Sequence, residues 1–338
     1  MSDVRICVDV MGGDEPAEVV LAGIEAALEA DRSLTVLVAG PEDVVVPFCE
    51  SHERAESLVA PDVITMEDDP INAVMTKRKS SIVLGCRAVK KGAADGFFSA
   101  GSTGAVTAAG TAYVTPFKAE RDGKKTAIRP CLTNALPNRR GGLTVMCDMG
   151  ANPDVEPWDM VRFAQMGAAY ASCVLGVDEP SVGLLSNGTE EHKGSVFTQS
   201  CYPLMAEHVP GFAGNCEGGD ITSGSVDVVV CNGFDGNIAL KSIEGAAKFM
   251  MDELKAGMTA NLKGKVAALL MRDMLRALKH KLSGDAKGGA ILLGLRGVVM
   301  IGHGATSAEA VKNGTLACAE AVRARLVERV RESMGLEA

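Results

Sequence analysis

Five apolar runs, each ending in a glycine-bearing turn with small polar residues, constrain the fold of this 338-residue chain more than any other feature. A helix-like stretch follows most of these turns. Short runs that are apolar throughout are typical of parallel strands buried on both faces of a sheet. The runs and their turns occupy residues 6–14, 97–104, 145–152, 182–190 and 226–237. The pattern therefore predicts an α/β fold with a mostly parallel sheet and helices on both of its faces.

The turns that follow parallel strands line one edge of such a sheet, and ligands bind there. Backbone N–H groups in glycine-bearing turns suit an anion such as phosphate. We therefore expect one site built from several loops. Its candidate binding residues in the first three turns are Gly13, Asp14, Ser102, Thr103, Gly104, Asp148 and Asn152.

The spacing of apolar residues, together with glycine and proline at the ends of segments, also predicts several other elements. Helices are expected at about 17–30, 158–175 and 307–334, and a strand at 298–301. Residues 115–130 have the composition of a surface excursion. We expect no signal peptide, because a strand begins by about Arg5.

Composition excludes some classes of function. The net charge is -9, the pI is about 5.2 and aromatic residues make up only 4% of the chain, which argues against nucleic-acid binding. The ten cysteines include no CxxC pair, so a zinc or Fe–S framework is not expected. Several cysteines fall in apolar patterns, which favours reduced, buried thiols and a cytoplasmic protein.

The loop at 187–194 contains the most polar candidates. Lys193 is a point charge that suits an oxyanion or phosphate, and Asn187 and Glu190 lie in the same loop. A solvated charged loop is the alternative.

In the turn after the fifth apolar run, Gly233 begins a stretch in which Asn237 and Lys241 would share one helix face. There the alternative is a helix cap at Asn237 with an exposed Lys241.

Three other candidates have competing interpretations. Ser102 could act as a nucleophile, but its spacing implies no His or Asp partner, and a phosphate- or backbone-binding role is favoured. Asp14 and Asp148 suit a phosphate site only if they hold a lysine, a metal or a polar substrate tail, and we expect no metal. His303 ends a strand at the expected ligand edge, where it could protonate a leaving group, although a lone histidine is more often structural.

A basic amphipathic segment interrupts the acidic chain at about 250–285. Its apolar residues recur every three or four positions, and residues 255–281 contain seven basic side chains and one acidic side chain. Such a helix suits an anionic membrane surface or an acidic partner, and an ordinary surface or dimer helix is the alternative. The charges that we assign to this surface are Lys263, Lys265, Arg272, Arg276 and Lys279.

Eight short motifs lie in order along the chain, at 8–14, 99–105, 148–152, 188–194, 214–218, 232–237, 288–294 and 303–304. Taken together, they resemble the bacterial PlsX family of phosphate acyltransferases from about residue 4 to about residue 325. The chain departs from the family's usual pattern at Ser102, where asparagine is common, and at Asn232, where aspartate is common.

The resemblance implies a single α/β/α sandwich spanning 1–338, similar to isocitrate and isopropylmalate dehydrogenases and to phosphate acetyltransferases. It also implies a reaction in which acyl-[acyl carrier protein] and inorganic phosphate give acyl phosphate and free carrier protein, at the start of bacterial phospholipid synthesis. The implied protein is a cytoplasmic homodimer that attaches peripherally to the membrane. A membrane glycerol-3-phosphate acyltransferase would be the downstream partner.

The expected mechanism needs no cofactor, metal or covalent intermediate. Phosphate would sit among the glycine-loop N–H groups, with Lys193 and Lys241 offsetting its charge, and would attack the thioester directly. Backbone N–H groups or an amide such as Asn237 would stabilise the oxyanion, a contribution of roughly 3 kcal/mol for each good donor. His303 or a water molecule would supply the proton.

Three other functions compete with this one. A phosphate acetyl- or butyryltransferase would use a CoA thioester and would not need the basic helix. An isopropylmalate-type dehydrogenase would need a carboxylate cluster for a metal, which the sequence does not clearly show. A non-catalytic membrane scaffold for lipid synthesis would not need Lys193 or His303.

Overall fold

The computed structural model describes residues 3–121, 123–282, 288–302 and 307–337. Within this part of the chain, one sheet of eleven strands has the order β10-β9-β11-β8-β7-β12-β13-β4-β1-β2-β3, and β5 and β6 form a separate hairpin. The strands are β1 (Val4–Asp9), β2 (Leu34–Gly40), β3 (Ala55–Val59), β4 (Gly96–Ser99), β5 (Lys118–Arg121), β6 (Lys124–Ala127), β7 (Cys131–Pro137), β8 (Leu143–Cys147), β9 (Val182–Leu185), β10 (Phe212–Cys216), β11 (Val228–Val230), β12 (Ala290–Leu293) and β13 (Val298–Ile301).

The helices cover both faces of this sheet. A π-helical turn at Gly110–Val114 directly follows α5. The helices are α1 (Ala17–Ala30), α2 (Glu42–Glu50), α3 (Pro70–Thr76), α4 (Ser81–Lys90), α5 (Thr103–Ala109), α6 (Pro157–Cys173), α7 (Val196–His208), α8 (Asp220–Ser223), α9 (Gly233–Thr259), α10 (Leu262–Leu270), α11 (Arg272–Leu282), α12 (Ala308–Arg323) and α13 (Leu326–Ser333).

The predicted three-layer α/β/α architecture is confirmed, and β1 shows its physical basis. Ile6 and Val8 pack in the cluster that contains the buried side chains of α1 and α12. Cys7, between them, points to the opposite face and packs in the cluster of α4. Because successive strand side chains alternate between faces, a strand that is apolar at every position needs a helix layer on each side.

The sheet consists of two parallel blocks that run in opposite directions. The first block contains β8, β9, β10 and β11, and the second contains β1, β2, β3, β4 and β13. Strands β7 and β12 lie between the blocks, and β7 is antiparallel both to β8 and to β12. Most pairings are thus parallel, as the apolar runs predict.

The register along β7 explains how one site can draw on both blocks. Thr133 of β7 pairs with Cys147, the last residue of β8, and also with Ile291 of β12. The preceding residue, Ala290, is the first residue of β12 and pairs with Ile301, the last residue of β13. The two blocks therefore meet carboxyl end to carboxyl end, and the loops that follow their strands face a common cleft.

Most of the predicted elements are confirmed, with one correction. The helix at Ala17–Ala30 and the strand at Val298–Ile301 have the expected bounds, and the excursion near residues 115–130 is the β5–β6 hairpin. The single helix expected at 307–334 is wrong, because Arg325 adopts a left-handed backbone conformation, with φ of 53°, that separates α12 from α13. A helix cannot continue through such a residue.

Candidate functional site

A cleft of about 880 Å³ lies between the two blocks of the sheet. Its floor is formed by β7, which contributes Leu132, Asn134 and Leu136, together with the neighbouring ends of β12 and β13. One wall is α5 with the π-helical turn, and the other wall is the first half of α9. The lining is largely apolar, with a few polar groups, as is typical of small-molecule sites.

The start of α9 is fixed against the loop that follows β8. The side chain of Asn232 caps the helix by accepting a hydrogen bond from the Asp235 backbone N–H, at 2.8 Å. The backbone N–H of Gly233 donates to the Asn152 carbonyl at 2.8 Å. At Gly236 any side chain would collide with the Asp148 carbonyl oxygen, so only glycine lets the helix approach this closely.

Asp148 organises this loop from beneath rather than lining the cleft. Its buried carboxylate accepts hydrogen bonds from the backbone N–H groups of Leu132, Gly150, Ala151 and Asn152, at 2.7–3.2 Å, and from the Asn152 side chain at 2.8 Å. Burial raises the pKa of Asp148, although these hydrogen bonds oppose the shift. In this structure the N–H groups of this loop are donated to the Asp148 carboxylate, and a role of the loop in binding phosphate stays a prediction.

Asp9 plays the same part in the second block. Its buried carboxylate accepts from the Met11 backbone N–H at 3.0 Å and from the Ser99 hydroxyl at 2.7 Å. Burial raises the pKa of Asp9, and the hydrogen bonds oppose the shift. The Gly101 N–H donates in turn to the Ser99 hydroxyl, at 3.0 Å. The sequence analysis did not predict a role for Asp9, although a carboxylate at the end of an apolar strand indicates a buried, hydrogen-bonded side chain.

In the loops of the second block, one predicted site residue caps a helix and two others line the cleft. The Ser102 hydroxyl accepts from the Ala105 backbone N–H at 3.4 Å and so begins α5 as a cap. Thr103 and Gly104 line the cleft, whereas Gly13 and Asp14 do not. Because serine and asparagine are both good caps, the departures at Ser102 and Asn232 keep the capping function that we observe at both helix starts.

Asn237 and Lys241 share the face of α9 that lines the cleft, as their spacing predicts. A side chain at Gly150 would lie 3.6 Å from the Cβ of Asn237, so Asn237 packs against the loop that follows β8. No hydrogen bond joins the Asn237 amide to another of the described residues. The Lys241 ammonium donates to the Glu244 carboxylate one turn further along, at 2.8 Å.

Lys193 lies outside the lining of this cleft, in the loop that follows β9. Its loop is held by a hydrogen bond from the Gly194 N–H to the Asn187 side chain, at 2.9 Å, and by one from the Asn215 side chain to the Glu190 carbonyl, at 2.8 Å. Strand β9 pairs with β11, which leads into α9, so the Lys193 and Asn237 loops follow neighbouring strands. The Lys193 ammonium has no ion-pair partner among the described residues. Its role stays a prediction.

The floor and walls of the cleft supply polar groups that sequence reasoning missed. Asn134 lies in the middle of β7, where an amide in an otherwise apolar strand was a usable signal. Thr107 lines the wall formed by α5, and its hydroxyl oxygen is buried without a hydrogen-bond partner among the described residues. His303, the predicted proton donor, lies outside the described residues.

The basic amphipathic segment forms helices whose apolar side chains are largely uncovered. Leu262 is 77% exposed, Leu269 70% and Leu270 81%. Among them lie the predicted basic residues of α10 and α11, namely Lys263, Lys265, Arg272 and Arg276. We call this surface the basic apolar face; the side chain of Lys279 is not described.

In the described part of the chain, no helix is both long enough and apolar enough to cross a bilayer. Among the same residues, no three His, Cys, Asp or Glu side chains converge as ligands for a metal ion.

Comparison with solved structures shows which proteins share this fold. The EutD phosphotransacetylase from Staphylococcus aureus has a TM-score of 0.55 at 17% identity, covering 95% of this chain and 94% of its own. The branched-chain phosphotransacylase from Enterococcus faecalis has a TM-score of 0.57 at 13% identity, covering 97% and 98%. The chain thus has an α/β/α fold shared with phosphotransacylases.

Sequence comparison then shows the family. The model of the family described as "Fatty acid synthesis protein" matches residues 4–329. The phosphate acyltransferase of Levilactobacillus brevis is 42% identical over 312 residues, covering 91% of this chain and 89% of the relative. That of Desulforudis audaxviator is 41% identical over 332 residues, covering 98% and 96%. The chain belongs to the phosphate acyltransferases of this fatty acid synthesis protein family.

Proposed function

We propose that this chain transfers the acyl group of an acyl-[acyl carrier protein] thioester to inorganic phosphate, giving acyl phosphate and free carrier protein. The observation that carries the proposal is the cleft, in which a polar centre at Asn237 continues into an apolar arm along α9. This combination suits a substrate with a reacting carbonyl at one end and a hydrocarbon chain behind it. The family name carried by the relatives supports the same chemistry.

In the proposed reaction, an oxygen of monohydrogen phosphate attacks the thioester carbonyl carbon. The carbon–sulfur bond then breaks, and the proton lost by phosphate ends on the thiol, so charge and atoms balance. A thiol with pKa near ~8.5 is a fair leaving group, and the step needs no covalent enzyme intermediate. His303 or a water molecule passes the proton.

Asn237 and the two lysines have distinct parts in this proposal. The Asn237 amide stabilises the developing oxyanion, since it faces the cleft without another hydrogen bond to a described residue. Lys193 meets phosphate from the neighbouring loop, and the absence of an ion-pair partner for its ammonium among the described residues supports this role. Lys241 joins it by exchanging its contact with Glu244 for phosphate.

The basic apolar face supports the proposal of a membrane-attached enzyme and an acidic protein partner. Its leucines give it apolar area that a water-exposed helix does not need, and its lysines and arginines attract anionic lipid. Acyl carrier protein, which is acidic, would dock by the same charges, and a second copy of this chain would cover part of the apolar area.

In this proposal the protein is a cytoplasmic, peripherally attached homodimer at the first step of phospholipid synthesis. A membrane glycerol-3-phosphate acyltransferase would consume the product.

The alternative that a specific observation favours is a phosphate acetyl- or butyryltransferase using acyl-CoA, because the fold is shared with phosphotransacetylases. A hydroxylamine trap separates the two. Purified protein is incubated with phosphate and either palmitoyl-[acyl carrier protein] or acetyl-CoA, and reactions without phosphate serve as controls. We expect phosphate-dependent hydroxamate from the carrier-protein substrate; product only from acetyl-CoA would overturn the proposal, and no product from either would favour the scaffold.

A further inference from the structure

The apolar arm of the cleft runs along one face of α9. Asn237 stands at its polar end, and Leu240, Ile243 and Ala247 line it at successive turns. Leu240, Ile243 and Leu136 of the floor pack against the same buried cluster, which contains Met146 and Met149. The arm is thus bounded by a helix on one side and by β7 below.

The length of this arm follows from helix geometry. From Asn237 to Ala247 the helix advances by ten residues, which corresponds to ~15 Å. An extended chain advances ~1.2 Å for each covalent bond, judged from the span of an extended backbone. The arm therefore accommodates about 12 carbons behind a carbonyl held at Asn237.

Beyond Ala247 the cleft lining ends, and the next apolar side chains on α9 are open to solvent. Phe249 is 66% exposed, Met250 69% and Leu254 39%. A hydrocarbon chain that passes Ala247 thus leaves the enclosed arm and meets this uncovered surface. The small side chain of Ala247 stands at the point where that change occurs.

The charged pair inside the arm does not prevent apolar contact. Lys241 and Glu244 lie on the same face and are joined by an ion pair at 2.8 Å. The aliphatic stems of both side chains are available to cover a hydrocarbon chain while their charged ends contact polar groups or water, as is common for amphipathic side chains.

Building on the proposed function, we infer that the arm between α9 and β7 binds the acyl chain, and that Ala247 sets the number of carbons it encloses. Carbons up to about the twelfth are buried, whereas later carbons contribute little because they pass Ala247. Ala247 is a specificity-determining residue in this scheme and takes no part in the chemistry.

The test is a binding series with alkyl phosphates from octyl to tetradecyl, measured by calorimetry below their micellar concentrations. Each buried methylene should tighten binding ~4-fold, up to about dodecyl, after which affinity should level off. Replacement Ala247→Phe should weaken dodecyl phosphate about tenfold or more while leaving octyl phosphate within about twofold. Ala247→Leu, a milder change, should give an intermediate loss at the same chain lengths.

The matched control is Ala246→Phe, which adds the same ring at the exposed neighbouring position outside the cleft lining. It should leave the whole series unchanged. Equal losses at every chain length in Ala247→Phe, or an unchanged series, would overturn the inference. Because the assay measures binding, a normal series with no hydroxamate would reject the proposed function alone, whereas hydroxamate formation with a flat series would reject the inference alone.

Discussion

The loop that follows β8 offers the sharpest test of how this site is built. Asp148→Asn removes the charge of a buried carboxylate and replaces one of its oxygens by an N–H₂ group. The two oxygens of Asp148 accept three and two hydrogen bonds, respectively. Whichever oxygen is replaced, at least two donors of the loop face another donor and lose their acceptor.

The expected loss of stability follows from this count. Each buried donor left without an acceptor costs about 1–3 kcal/mol, so two cost about 4 kcal/mol. Burial raises the pKa of Asp148, which means that its charged form is costly to bury. Removal of this charge in Asp148→Asn offsets part of the cost. We expect a net loss of about 2 kcal/mol in the free energy of unfolding, which lowers Tm by about 3 °C in a chain of this size.

The loop also supports the cleft, so activity should change with stability. Gly150 lies against Asn237, and a displaced loop would move this amide from its place at the polar centre. Thermal unfolding and the hydroxylamine trap should therefore both report a defect in Asp148→Asn. The control is Asp154→Asn, an exposed residue two positions beyond the loop, which should stay within about 0.5 kcal/mol of the native protein. If the two variants unfold at the same temperature, the carboxylate does not organise this loop.

Three further outcomes are expected. Lys193→Ala should cut phosphate-dependent turnover at least about tenfold, because a charge-assisted contact to phosphate is lost, and normal turnover would reject its assigned role. Charge reversal at Arg272 and Arg276 should weaken liposome pelleting, binding of acyl carrier protein or both, and an unchanged result in both assays would refute the role of the basic apolar face. Asp31→Asn should cost about 1 kcal/mol at pH 7 in urea unfolding, since Asp31 lies 2.7 Å from Arg323. Burial opposes the shift, but hydrogen bonds from Arg323 and a nearby serine lower the pKa of Asp31 from its ordinary 3.8, so the contribution is present above that pH and is lost as pH falls through the lowered pKa. A difference between the two proteins that persists at pH 2 would contradict this.

Local patterns in the sequence were enough to place most elements. Ile6, Cys7 and Val8 are apolar on both faces of their strand, which predicts a strand covered on both sides, and the structure shows it in that position. Helix α1 begins at Ala17 directly after Pro16, and its buried positions recur at helical spacing to Leu28. These features depend on interactions within a few residues, which a sequence displays directly.

The tertiary structure alone decided how these elements combine into a site. Nothing local in the apolar runs shows that the two blocks run in opposite directions, or that they meet at Thr133 of β7, because strand pairing is a long-range property. The sequence likewise could not show that loop N–H groups are donated to Asp148 and Asp9, since those contacts require atoms that only the folded chain brings together. The order of the glycine motifs determined the family, whereas the cleft along α9 exists only because the two blocks meet.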